Sequence, residues 1–346
     1  MIETQYSPQA ELDERLRAIG VSKTVYALVT PWTEEAVADV VGSNGSDARE
    51  IYIDMFREAW TRKQDRFHED FFDAWHSWSR PVVDIDPRRW CYRYPTAGAS
   101  EGLRHLIYDH AARTLRMGTI HVFQGEYEGF RAMAEAAGLR VVEHQRDDEN
   151  VSKVVASVGP NDIFVISQPS AIDGNVWRGF NDFIETMPDD SVLVDLTYVG
   201  AVPRSAIQDT FRLNAPSIRN IVFSLSKPFG AYYHRIGGVY ARKEDAGLFG
   251  NRWFKNLTSL ALGTRLIQST HVFEIAEHLA AFQADAVLRA GAALGVQLEP
   301  SDVSILATGN PTSDGKMESY LTRAGRMRVC LTPLMSEALR SGGMEP

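Results

Sequence analysis

A lysine sits in an unusual setting at Ser224-Leu-Ser-Lys227-Pro-Phe-Gly230. The apolar run Ile221 to Phe223 breaks there into a turn, and Pro228 and Gly230 stop it continuing as a strand. Lys227 is therefore expected on a bend at a strand end, where open α/β sheets gather their ligands. A glycine-rich return past Arg235 leads into another apolar strand. Two serines and an arginine around one lysine suit a phosphorylated carbonyl compound: the amine makes a Schiff base, while Arg235 and Ser224 hold the phosphate. An isolated Ser-X-Ser-Lys has a plainer alternative, a surface lysine on a hairpin, so the rest of the chain has to decide.

Asp195 closes the apolar run from Ser191, and Tyr198 follows three residues on. A carboxylate at a strand end can simply cap the next turn. Beside a lysine-bound pyridine aldehyde it would instead keep the ring nitrogen protonated, with Tyr198 in reach of the ring's phenolic oxygen. Upstream, Tyr94-Pro-Thr-Ala-Gly98-Ala99-Ser100-Glu-Gly runs into a helical stretch over 103–115. Small residues at a helix entry let backbone N–H groups approach an anion, which makes Gly98, Ala99 and Ser100 phosphate-cradle candidates, an ordinary helix cap being the alternative. Within Val122-Phe-Gln-Gly-Glu-Tyr-Glu-Gly-Phe130, the positions Phe123, Gln124 and Tyr127 are open for stacking on a ring. An aromatic face favours Phe123 or Tyr127, unless both belong to the core.

These residues need a frame, and the surrounding pattern supplies one. Apolar strands are expected at 119–123, 140–143, 162–167 and 191–195, with helices near 127–137 and 177–186. Regular alternation of this kind argues for an α/β fold with a mostly parallel sheet covered on both faces. A helical stretch over 48–80 carries the aromatic stripe Phe71, Phe72, Trp75, Trp78, with His68 and His76 expected on its surface, the alternative being that they line a substrate pocket. Short helices around 11–19 and from Thr33 flank an extended 25–30, a long helical pattern spans 265–294, and a strand at 302–307 and a helix from Pro333 close the chain.

With 346 residues, 44% of them hydrophobic, the chain can bury a large core. Its net charge of -9 disfavours a phosphate backbone as main partner. Two cysteines, Cys91 and Cys330, make no disulfide framework, and no signal peptide or apolar run of membrane-spanning length is legible. A cytoplasmic protein, binding neither nucleic acid nor membrane and holding no metal, is the expectation.

In combination, Asp195-X-X-Tyr198, Ser224-X-Ser-Lys227 and Arg235 eight residues later resemble the cofactor-binding order of fold type I pyridoxal 5′-phosphate (PLP) enzymes, the class I/II aminotransferases of the aspartate aminotransferase superfamily. The resemblance runs from the 98–100 turn to Arg328. It implies the three-layer α/β/α fold of PLP-dependent transferases, with a large PLP-binding domain at 46–264 and a small α+β domain from 1–45 and 265–346. It also implies a homodimer and an L-α-amino acid substrate. Lys227 would anchor the cofactor and then act as the base that takes the substrate's Cα proton, which leaves a carbanion (quinonoid). Asp195 would pair with the ring nitrogen, Tyr198 with the ring oxygen, Phe123 or Tyr127 would stack, and Ser224, Arg235 and residues 98–100 would hold the phosphate. In Arg326-Met-Arg328, Arg328 matches the arginine that grips the substrate α-carboxylate.

One departure bears on the reaction. Where the family carries Asn-Pro-Thr-Gly, this chain has Ala171-Ile172-Asp173-Gly174, so the asparagine donor to the ring oxygen is missing unless Gln168, Ser170 or Asn175 replaces it. Aminotransfer to a 2-oxo acid is the first expectation. Elimination, replacement or cyclisation of a modified amino acid in biosynthesis is the alternative.

Overall fold

The structure is a computed structural model describing residues 8–41, 53–57, 61, 68–147, 151–253, 255–312 and 315–342. Helices α1 (Pro8–Ala18) and α2 (Pro31–Val41) precede α3 (Glu69–Ser79), β1 (Val83–Asp84) and β2 (Tyr92–Thr96). Strands and helices then alternate through α4 (Ala99–Arg113), β3 (Thr119–Phe123), α5 (Glu128–Ala136), β4 (Arg140–His144), α6 (Val151–Ser157), β5 (Ile163–Ser167), α7 (Phe180–Thr186) and β6 (Val192–Asp195). The strands β7 (Phe211–Arg212), β8 (Ile218–Ser224) and β9 (Gly237–Ala241) follow, and then helices α8 (Leu257–Gln268), α9 (Glu274–His278) and α10 (Ala280–Leu294). The chain ends with β10 (Glu299–Pro300), β11 (Leu306–Gly309), α11 (Lys316–Leu321), β12 (Thr322–Arg323), β13 (Arg326–Cys330) and α12 (Thr332–Gly342).

Seven strands form the central sheet in the order β2-β9-β8-β6-β5-β3-β4. All neighbours pair in parallel except β9, which is antiparallel to β2 and β8. The expected mostly parallel α/β sheet is observed. Buried on both faces, its strands read as continuous apolar runs. Alternate residues feed two separate cores: Leu193, Val222 and Val239 face α4, while Val194, Ile221 and Phe223 belong to the larger core on the other side. On that side Trp75 of α3 stacks on Phe223 at 4.2 Å between ring centres, so the aromatic stripe backs the strand that leads to Lys227. On the α4 side Gly102 lies against Val239, where a Cβ would come within 2.7 Å of its methyl group.

A second, four-stranded antiparallel sheet has the order β10-β11-β13-β12 and carries Arg328. Residue Ser22 bridges to Cys330 on its central strand, and the chain then crosses toward the larger sheet.

Several details differ from expectation. The long helical pattern of 265–294 is three helices, α8 to α10, because 269–273 departs from helical geometry. The crossover after β4 contains the helix α6, which its polar neighbours obscured, and the strand expected at 302–307 starts only at Leu306. His68 is 4% exposed rather than on the surface. Helix α3 occupies only the end of the helical stretch expected over 48–80, much of which lies outside the described residues. Cys91 and Cys330 are both free. Among the described residues no helix is long and apolar enough to cross a membrane, and no cluster of His, Cys, Asp and Glu could hold a metal ion.

Candidate active site

The polar groups converge at the carboxyl ends of the parallel strands. Ser167, Asp195 and Ser224 end β5, β6 and β8, which lie side by side. This edge is where α/β sheets bind ligands, because the loops leave a crevice above the strand ends.

Lys227 lies in the turn after β8 and is largely buried. Its Nζ donates to the carbonyl of Val25, 2.6 Å away on the N-terminal crossing segment. Burial, with Arg328 and Arg235 adding to it and Cys330 opposing, pulls the amine down to about 8. An amine at about 8 is neutral in roughly a tenth of molecules at pH 7, far more than an ordinary lysine, which favours its use as a nucleophile or base.

Asp195 is buried, and burial pushes its carboxyl up to about 6 against the pull of two hydrogen bonds from Thr197. Both bonds, from the Thr197 amide and hydroxyl, end on Oδ1, so the turn-capping role is filled. Oδ2 accepts from no described residue. Tyr198 is buried close by, its phenol pushed up to about 12 by desolvation.

A second group forms at the start of α4. Gly98, at φ 81°, is the helix N-cap with no side-chain cap, so the N–H groups of the first helical turn stay free of intrahelical partners. Gly98 packs on Gly237, where a Cβ would meet the Gly98 Cα at 2.8 Å. Register carries the line on, since Gly237 pairs with Thr96 on one side and Ser224 on the other. Arg235 reaches the same corner, its Nη2 donating to the Ala97 carbonyl at 2.6 Å. A Cβ on Gly98 would stand 2.9 Å from that guanidinium. The Ser224 hydroxyl lies 2.8 Å from that of Ser226. Helix N–H groups, two hydroxyls and a guanidinium in one corner have the donor set of a phosphate site.

Arg328 is buried on β13, and its Nη1 donates to the Ala171 carbonyl. Its Nε has no hydrogen-bond partner. Of the three candidates for the missing asparagine, only Gln168 has its amide donor engaged, while Ser170 and Asn175 are bound as acceptors. Gln168 binds the backbone of Trp177, Ser170 accepts from Arg146 and the Ile172 amide, and Asn175 accepts from the Asp302 amide.

The stacking candidates separate. Phe123 is a core residue, its ring 4.9 Å from Phe164 and 5.3 Å from Trp177 and Phe183. Its strand position points it at α7 rather than at the crevice. Tyr127 is 41% exposed and packs edge-on against Phe130.

Sequence reading passed over Glu126. This buried carboxylate accepts from the Ser167 hydroxyl at 2.6 Å and its amide at 3.2 Å, and desolvation raises it to about 7. Ser167 in turn accepts from the Ala171 amide at 2.7 Å, so Glu126 braces the loop that Arg328 holds. The only sequence signal was a glutamate after Gly125, which looks like a solvated loop residue.

No family model and no curated protein matches the sequence. Solved structures do. Histidinol-phosphate aminotransferase from Sinorhizobium meliloti, in complex with pyridoxal-5′-phosphate, is similar at a TM-score of 0.63 and 15% identity, over 97% of this chain and 94% of that one. An amino transferase from Eubacterium rectale matches at 0.64 and 12% identity, over 99% and 97%. The PLP-bound C-S lyase from Staphylococcus hominis matches at 0.59 and 13% identity, over 79% and 80%. The fold is that of the fold type I PLP aminotransferases. Within this fold, an aminotransferase and a lyase share one scaffold, so the chemistry has to be argued from the residues.

Proposed function

We propose that the protein is a PLP-dependent enzyme acting on an L-α-amino acid, and that it transfers the amino group to leave a 2-oxo acid. The observation that carries this reading is the combination of a largely buried Lys227, its amine lowered to about 8, with a carboxylate, Asp195, whose second oxygen has no partner among the described residues, on one sheet edge beside a phosphate-type corner.

The residues fit the cofactor. Arg235, Ser224, Ser226 and the amides of residues 98–100 would hold the phosphate, Asp195 would keep the ring nitrogen protonated, and Tyr198 would donate to the ring oxygen. With Phe123 in the core, Tyr127 is the aromatic left to lie on the ring. When bound, PLP supplies an aldehyde for the substrate amine and an electron sink for the Cα carbanion.

The chain's own groups do the rest. Arg328 would take the α-carboxylate in a bidentate fork, which fixes the Cα–H direction. Lys227, once free, would take the Cα proton and return it, a role suited to an amine lowered to about 8. Burial of Asp195 and Tyr198 excludes water and strengthens each charge interaction. We read the chain as a large domain at 46–264 and a small one from 1–45 and 265–346, paired in a cytoplasmic homodimer.

Elimination, replacement or cyclisation is the second reading, favoured by one observation. Ala171 offers no side-chain donor where the family carries asparagine, and the Gln168 amide is taken by the Trp177 carbonyl, so the ring oxygen would rely chiefly on Tyr198. A weaker set of donors there changes how a carbanion partitions.

Adding PLP to the purified protein is expected to give a visible absorption band that Lys227→Ala lacks, and borohydride reduction should fix the added mass on the peptide holding Lys227. Absence of the band in the natural protein rejects the cofactor. With a panel of L-amino acids, a 2-oxo acid product supports transfer, whereas a product that keeps its α-nitrogen supports the second reading.

A further inference from the structure

The hairpin β12–β13 concentrates arginines on one face. Arg323 and Arg326 stand directly opposite each other across the turn Ala324-Gly325, and Arg328 follows Arg326 by two residues on the same strand, hence on the same face. Like charges directly opposite on neighbouring strands repel each other. The Nε atoms of all three are buried without a hydrogen-bond partner. The Arg323 side chain is only 9% exposed; it pairs with Glu128 and points toward the carbonyls of Gly125 and Glu126. Among the described residues, no carboxylate lies within ion-pair distance of Arg326 or Arg328.

Arg323 and Arg326 line a cleft of about 430 Å³ with Gln124, Gln145, Arg146 and Asp173. Asp147 also lines it, and the charge of Asp173 is matched by Arg146 at 2.9 Å. The cleft opens beside the loop whose Ala171 carbonyl Arg328 holds, since Ile172 and Asp173 are on its wall. In the turn after β3, Gly125 packs against the hairpin, where a Cβ would meet Arg323 at 3.1 Å and Ala324 at 3.3 Å.

We propose that Arg323 and Arg326 bind a second anionic group of the substrate, a side-chain carboxylate or phosphate, so that the enzyme acts on a dianionic α-amino acid. This assignment rests on the reading of Arg328 as the α-carboxylate arginine. Residues two apart on a strand are separated by about 7 Å, a span that an α-carboxylate and the end of a short acidic side chain can bridge. Guanidinium forks suit both groups, because each offers two coplanar or adjacent oxygens. A bound dianion would offset the repulsion between the facing arginines and give acceptors to their buried Nε atoms.

The test uses calorimetric titration of the full chain, with and without PLP, by glutarate, 3-phosphonopropionate, butyrate and 5-aminopentanoate. At least one dianion is expected to bind about tenfold more tightly than butyrate, the ratio that one charge-assisted hydrogen-bonded pair supplies. Whichever dianion binds more tightly separates carboxylate from phosphate as the natural group. Arg326→Gln and, separately, Arg323→Gln should bring the ratio to near one with butyrate affinity changed less than about twofold. Thermal melting of Arg326→Gln without ligand should lie at or above that of the natural protein, since one of two facing like charges is removed, whereas Arg323→Gln also loses the Glu128 pair.

Equal binding of dianions and butyrate, or a preference that survives both substitutions, overturns the proposal. Tightest binding of 5-aminopentanoate also overturns it and gives the cleft to a basic side chain through Asp147 and Asp173. A fall in melting temperature with the dianion preference intact makes the arginines structural. If PLP gives no visible band while the preference and its loss persist in the protein alone, the cofactor reading fails and the anion site stands. A band with no dianion preference is the reverse case.

Discussion

Asp195 sets folding against chemistry. Its carboxyl is pushed up to about 6 by burial, above the ordinary carboxylate value, so it favours the fold below about pH 4 and that contribution is lost as pH rises through 6. In the cofactor-free protein at pH 8, Asp195→Asn is therefore expected to be more stable than the natural chain by about 1–3 kcal/mol, and level with it at pH 4. Its PLP affinity should fall at least about tenfold, because the ring nitrogen loses its charged partner. Urea unfolding at the two pH values and fluorescence titration with PLP measure both. A variant less stable at pH 8 would refute the buried-charge account. Asp195, Lys227 and Arg235 were legible because each chemistry-bearing residue follows an apolar run at a fixed spacing. The choice between stacking and core for Phe123 was left open because the last residue of a fully buried strand has no periodicity to show its direction, and Glu126 was passed over because a glutamate in a loop looks solvated.

At the scale of elements, the central-sheet strands at 119–123, 140–144, 163–167 and 192–195 were read to within about a residue, since each is a mostly apolar run bounded by polar turns, whereas the strand expected at 302–307 begins four residues later. Helices were less legible where packing overrides pattern. Helix α3 shows this: its aromatic stripe was evident, but His68 at its start is buried against Phe72 and accepts from Lys255. Desolvation, helped by Lys255 and Arg252, lowers His68 to about 3, so it is neutral in the fold. A depressed histidine contributes stability that is present above its unfolded value of 6.5 and is lost as pH falls toward 3. His68→Gln keeps an acceptor and removes the titration. Between pH 7.5 and 5 the variant should lose about 2 kcal/mol less stability than the natural protein. Chemical denaturation at both values checks this, and parallel losses would show that His68 is already charged or exposed.

Across the whole molecule, the proposed site is shared between two sheets. Lys227 and Asp195 come from the seven-stranded sheet and Arg328 from the four-stranded one. The segment 22–30 ties them, pairing Ser22 with Cys330, giving the Val25 carbonyl to Lys227, and passing so close to Gly230 that a Cβ there would meet the Leu28 carbonyl at 2.1 Å. Its course was not legible, because an irregular segment is placed by its tertiary partners and carries no period of its own. Such shared burial should make the two sheets unfold together. PLP at a hundredfold excess over its dissociation constant contributes about 2.7 kcal/mol to the folded state. Scanning calorimetry is therefore expected to show one transition that moves up as a whole on adding PLP. If the endotherm splits and only one part moves, the sheets fold independently and Arg328 is not coupled to Lys227 through the crossing segment. A single shift that disappears in Lys227→Ala would instead tie the stability of both sheets to the same amine.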